Sequence, residues 1–107
     1  MAQIGTDIVQ VNRVDLTNEN LIKRILHDDE FVYLEQIQDI EAKKQFVAGR
    51  WAAKEAIFKA TNKNIAPNKI SIGYLNNKPV ILNEELKSIV ISISHEKEYA
   101  IAVALYL

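Results

Sequence analysis

The sequence predicts an α+β domain in which a long helix packs on an antiparallel sheet. Three observations predict it. Glu41 to Thr61 is a mostly apolar run with helical spacing, long enough for one continuous helix. The last third of the chain instead repeats at a period of two, as strands do. A separate apolar segment at the start, Gln3 to Val11, reads as a short strand.

In the first strand the apolar positions are Ile4, Ile8, Val9 and Val11, with Asp7 inside the strand or at its end. Aspartate is depleted in strands because its side chain competes for backbone hydrogen bonds and is costly to bury. Asp7 is therefore either a turn or edge residue or a carboxylate with a task. Asn18 to Leu26 reads as a helix, with Leu21, Ile22, Ile25 and Leu26 at helical spacing and Lys23 and Arg24 on its polar side. Asp28 or Asp29 is the expected cap of a second helix holding Phe31, Leu34 and Ile37. The long helix follows, then a loop from Asn62 to Asn68 whose Pro67 stops any continuation.

The remainder is β-rich. From Lys69 to Leu75, Ile70 and Ile72 alternate with Ser71 and Gly73, and Asn76-Asn77 reads as a hairpin turn into Pro79 to Leu82. Ile89 to Ser94 is a strand, His95 to Glu98 a polar turn, and Tyr99 to Leu107 a final strand. That last strand carries Tyr99, Ile101, Val103, Leu105 and Leu107 on one face. Ala100, Ala102 and Ala104 line the other, small enough for a helix to pack closely.

Composition narrows the class. The 107 residues suit one domain, expected to span 1–107. Hydrophobic residues at 49% and charged residues at 25% are the balance of a globular protein rather than a disordered one. A net charge of −1 excludes a strongly basic surface made to coat nucleic acid. Without cysteine, neither a disulfide framework nor a thiolate metal site is possible. Met1 to Asp7 lacks the basic and apolar regions of a secretory signal, and no apolar run approaches the roughly 20 residues of a membrane span. The expected compartment is the cytoplasm.

The charges of the long helix raise the functional question. Glu55 and Lys59 stand at i and i+4, the favourable order for a surface ion pair worth a few tenths of a kcal/mol. Arg50 lies about one turn before Glu55, and Lys54 shares the row of Val47 and Arg50. The alternative to a solvated pair is a polar pocket that handles an anion. Magnesium is usually held by one or two carboxylates, several waters and the substrate's own phosphates. Asp7 alongside Glu55 would supply such a pair, with Lys59, Arg50 and Lys54 turned toward the phosphates. Those are the parts of phosphoryl transfer, where positioning and charge neutralisation supply most of the catalysis.

Three ordered segments resemble a known family, the holo-acyl-carrier-protein synthases, which are small bacterial 4'-phosphopantetheinyl transferases. The first is Ile4-Gly5-Thr6-Asp7-Ile8 with Arg13 six residues after Asp7. The second runs from Phe46 to Ala60 and includes Gly49-Arg50-Trp51-Ala52-Ala53-Lys54-Glu55-Ala56. The third is Ile91-Ser92-Ile93-Ser94-His95-Glu96-Lys97-Glu98-Tyr99-Ala100.

The resemblance implies transfer of the phosphopantetheine arm of coenzyme A to a serine of apo acyl carrier protein, as fatty acid biosynthesis requires. Adenosine 3',5'-bisphosphate is left behind. Asp7 and Glu55 match the family's magnesium carboxylates, and Lys59 the lysine that contacts the phosphates. Arg50 and His95 match positions at the adenosine end of coenzyme A. Glu55 and a metal-bound water both stay open as acceptor of the serine proton. Arg13 and the helix bearing Lys23 and Arg24 match the surface that docks the acidic carrier.

The chain is about half the length of the pseudo-dimeric type, so its cleft would lie between copies, and the resemblance implies a homotrimer with active sites between subunits, for which the last strand could help supply an apolar core. Two positions depart from the family. Thr61-Asn62-Lys63-Asn64-Ile65 replaces a glycine-rich stretch, and Asn76-Asn77-Lys78-Pro79 stands where Asn-Gly-Lys-Pro is common. Asparagine tolerates left-handed backbone better than most residues. The rival readings are a non-catalytic module that binds coenzyme A or carrier protein, and a structural protein whose helix bears a surface ion pair.

Overall fold

The computed structural model describes residues 2–107. The chain opens with β1 (Gln3–Gln10), a 3-10 turn at Val11–Arg13 and α1 (Glu19–Ile25). A second 3-10 turn at Asp28–Glu30 leads into α2 (Phe31–Gln36) and then the long α3 (Ile40–Thr61). After a third turn at Pro67–Lys69 come the hairpin β2 (Ile72–Leu75) and β3 (Lys78–Ile81), then β4 (Ile89–His95) and β5 (Tyr99–Tyr106). The α+β expectation holds. β5 is the centre of a three-stranded antiparallel sheet ordered β1-β5-β4, and β2-β3 forms a separate hairpin.

Period-two alternation sorts this sheet into two unlike faces. Ala100, Ala102 and Ala104 of β5 are buried, as are Val9 of β1 and Ile89 and Ile91 of β4. They meet Ala52, Ala53, Ala56 and Ala60 of α3, so the expected small-residue contact between helix and final strand is present. Gly5 brings β1 closer still, because a Cβ there would lie 2.6 Å from Ala60 N and 3.0 Å from Lys59 Cβ. The other face carries Ile4, Ile8, Val90 and Ile101, all exposed.

Local chemistry sets the element ends. Asn18 caps α1 by accepting from Leu21 N at 3.1 Å, and Asp39 caps α3 by accepting from Ala42 N at 2.9 Å. Asn62 closes α3 in the left-handed region at φ 57°, and Asn76 and Asn77 take φ 53° and 65° in the hairpin turn. Asparagine thus does at all three positions what glycine would do.

Several expectations are corrected. Neither Asp28 nor Asp29 caps the second helical segment. His27 does, its Nδ1 accepting from Asp29 N at 3.0 Å while the Glu30 carboxylate accepts from His27 N at 2.8 Å. Burial of Glu30 draws the turn one residue back along the chain. α2 ends at Gln36, so Ile37 follows the helix. β2 starts at Ile72 rather than Lys69, because Ile70 N bonds Pro67 O and Ser71 N bonds Asn83 Oδ1 instead of a neighbouring strand. His95 belongs to β4, where it pairs with Ala100, and the turn narrows to residues 96–98. Among the described residues no helix is long and apolar enough to cross a membrane.

Candidate active site

Asp7 lies mid-strand, opposite Ala102 and on the face that meets α3. β1 runs down α3, with Gly5 against Ala56 and Ala60 and, beyond the strand, the Arg13 guanidinium 4.5 Å from the Trp51 ring. This path sets Asp7 beside the turn that carries Glu55 and Lys59. Lys59 Nζ donates to Asp7 Oδ1 at 3.0 Å and to Thr6 O at 3.1 Å. The lysine has turned to the strand: the i,i+4 pair with Glu55 does not form, and Glu55 joins no ion pair among the described residues. Glu55 is half-buried on the helix face it shares with Trp51 and Lys59.

Arg50 precedes Lys59 by nine residues, two and a half helical turns, so it projects on the opposite side of α3 and about 13 Å away along the axis. It is buried, with Nε 2.9 Å from Glu30 Oε2 and a terminal nitrogen 3.4 Å from Ile72 O. Its guanidinium lies between two rings, 4.5 Å from the centre of Phe46 and 5.2 Å from that of Tyr74. Arg50 and His95 line the same cleft of about 310 Å³, together with Phe46, Gly49, Tyr74 and Pro79.

Lys54, expected to face an anion, is instead buried against the Glu30 carboxylate and donates to Ile25 O at 2.7 Å. Burial disfavours its charged form more than Glu30 restores it, which lowers its pKa to about 8. The helix row Arg50, Lys54 therefore faces inward to Glu30, not outward to a shared anion with Lys59. Glu30 is the residue sequence reasoning missed. Its signal was the spacing from His27, three residues as in a capping box, but histidine is an unusual cap.

Arg13 and Arg24, read as docking residues, come together around Trp51. Arg13 stacks on its ring, and Arg24 lines a cleft of about 400 Å³ with Trp51, Leu21, Ile25 and Pro67. Lys23 points elsewhere, lining the neighbouring groove of Phe31 and Leu34. The structure thus joins Asp7 to Lys59, one helical turn beyond Glu55, and gathers Arg50 and His95 at a separate cleft.

Residues 3–104 match the family model of the 4'-phosphopantetheinyl transferase superfamily. The chain belongs to that superfamily. It is 50% identical over 102 residues to the holo-[acyl-carrier-protein] synthase of Mycoplasma mycoides, covering 95% of this chain and 91% of that one. The counterpart from Mycoplasma capricolum is 48% identical over the same share of each. Among solved structures, the Bacillus anthracis holo-(acyl-carrier-protein) synthase, in complex with CoA (3',5'-ADP), superposes with a TM-score of 0.85 at 30% identity, covering 96% of this chain and 93% of that chain.

Lys59 is about half exposed. Lys59 engages Asp7 through Oδ1. No group of three or more metal-ligating side chains occurs among the described residues.

Proposed function

We propose that the Asp7–Glu55–Lys59 cluster and the Arg50–His95 cleft are the two ends of a coenzyme A site. The protein transfers the 4'-phosphopantetheine arm of coenzyme A to a serine of apo acyl carrier protein, leaving adenosine 3',5'-bisphosphate. The observation that carries the assignment of the chemical end is Lys59 Nζ on Asp7 Oδ1 at 3.0 Å, which unites the first and second sequence segments in one charged cluster.

The donor set fits magnesium. Two carboxylates without further protein ligands suit an ion that takes its remaining ligands from water and substrate phosphates. Held by Asp7 and Glu55, the ion would supply Lewis acidity and charge neutralisation at the pyrophosphate. Lys59 meets the phosphate oxygens as a compact point charge and steadies the negative charge that grows on the leaving bisphosphate. The serine oxygen forms a bond to the phosphorus bearing the pantetheine arm, and the bond from that phosphorus to the bridging oxygen breaks. The serine proton leaves to Glu55 or to solvent. Arg50 and His95 hold the adenosine end.

Arg50 and Lys59 project from opposite sides of α3, so one chain supplies the two ends to different clefts. Assembly of three copies through the exposed apolar face around Ile8 and Ile101 brings one copy's carboxylates to its neighbour's Arg50 and His95. The carrier, an acidic partner, docks on Arg13 and Arg24 around Trp51, beside the chemical end.

The deciding experiment mixes the protein with apo carrier protein, coenzyme A and magnesium and weighs the carrier. One phosphopantetheine is gained per carrier, and chelation of magnesium stops the gain. An unchanged carrier mass, in a folded and assembled preparation, refutes the enzyme and leaves the binding module.

A further inference from the structure

Glu30 lies outside every cleft described above, yet it is fully buried and charged, which a protein core does not accept without compensation. Its carboxylate accepts from His27 N at 2.8 Å, from Lys54 Nζ and from Ile72 N at 3.4 Å, and it forms an ion pair with Arg50, whose Nε lies 2.9 Å away without a hydrogen bond. A buried ion cluster is a poor device for stability alone, since apolar residues of similar volume usually serve as well or better. Its position explains it better. Glu30 stands behind Arg50 as its buried counter-charge, nearest to the one nitrogen that does not end the side chain. Phe46 and Tyr74 hold the two faces, and Tyr33 braces Tyr74 edge-on at 5.1 Å.

We propose that Glu30 is a positioning residue: it clamps Arg50 in a single orientation at the wall of the cleft shared with His95 and so sets affinity for the adenosine end of coenzyme A. The inference rests on the reading of that cleft given above. Glu30 touches no substrate. It acts through Arg50, and it contributes to binding rather than to the chemical step, which belongs to the carboxylates of the neighbouring copy.

Glutamine is an unsuitable replacement, because its amide group would face two donors. Glu30→Asp keeps the buried charge and withdraws it by one methylene, so the chain stays folded while the clamp opens. The Michaelis constant for coenzyme A should rise about tenfold with kcat within twofold, the split expected of lost binding. Arg50→Met should raise it at least as much, and Glu30→Asp added to Arg50→Met should change it no further. An unaltered constant in Arg50→Met overturns the reading of the cleft and this inference with it. A raised constant in Arg50→Met beside an unaltered one in Glu30→Asp overturns only the role of Glu30. So does an additive effect in the double variant.

If either variant fails to fold, nuclear magnetic resonance on the unmodified protein decides. The Arg50 Nε–H signal should exchange slowly and shift on titration with adenosine 3',5'-bisphosphate, and a rapidly exchanging or unmoved signal overturns the clamp.

Discussion

Adding one methyl group at Gly5 should damage both the fold and the chemistry. A Cβ there would lie 2.6 Å from Ala60 N and 3.0 Å from Lys59 Cβ, and nearer still to Ala56 O. Ordinary contact begins near 3.4 Å, so β1 must retreat from α3 by about 1 Å. Backbone blocks the way on the α3 side, and no rotamer change relieves it. Overpacking of this kind costs about 1–3 kcal/mol, which in a domain of this size lowers Tm by roughly 5–20 °C.

Asp7 follows two residues later on the same face of the same strand, so the retreat also draws its carboxylate from Lys59 and Glu55. A misplacement of about 1 Å costs on the order of a hundredfold in rate. Calorimetry gives the first effect, and initial rates of holo-carrier formation, measured well below the variant's Tm, give the second. A Gly5→Ala protein with lowered Tm but wild-type kcat would refute the claim that this approach sets the site. One unchanged in both would refute the approach itself.

Other perturbations separate the remaining roles. Glu55→Gln should abolish transfer with Tm within a few degrees of wild type, and near-normal turnover would remove Glu55 from the metal site. The folded pKa of Lys54, about 8 against 10.5 for an ordinary lysine, means that the unfolded chain binds more protons between those values. Stability therefore rises with pH across that window. The penalty is about 3 kcal/mol below pH 8, and about 1 kcal/mol of it is regained from pH 7 to 9. Urea unfolding should show this rise in wild type and not in Lys54→Met, and equal slopes would return Lys54 to an ordinary pKa. Ile101→Glu should leave single folded copies without activity by light scattering and carrier assay; an intact assembly would clear that face of any role. Arg13→Glu should raise the Michaelis constant for the carrier about tenfold and leave that for coenzyme A unchanged, and the reverse pattern would move Arg13 off the docking surface.

How far the sequence disclosed all this depends on the range of the interactions involved. Period-two and helical spacing gave the order of elements, and the alanines of the last strand announced the contact with α3. The positive-φ turns at Asn62 and Asn76-Asn77 were readable from residue type. The ends of β2 were not, because Asn83, twelve residues on from Ser71, takes the hydrogen bond that a strand would have used. Asp7 and Lys59 were singled out from motifs, but their contact spans 52 residues and no local rule supplies it. Lys54 illustrates the opposite failure. Its cationic character suggested an anion outside the helix, whereas the anion it faces is Glu30 of the same chain.

If three copies share their sites as proposed, the two-sided use of α3 makes inactivation divisible. A copy with Glu55→Gln would still own an intact Arg50–His95 cleft, and a copy with His95→Ala an intact carboxylate pair. Neither variant alone would then work. Reassembled together from equal amounts, about one cleft in four in a closed ring of three draws both of its halves from sound sources. Two dead proteins, unfolded and refolded in one tube, would then regain a measurable share of the parental rate.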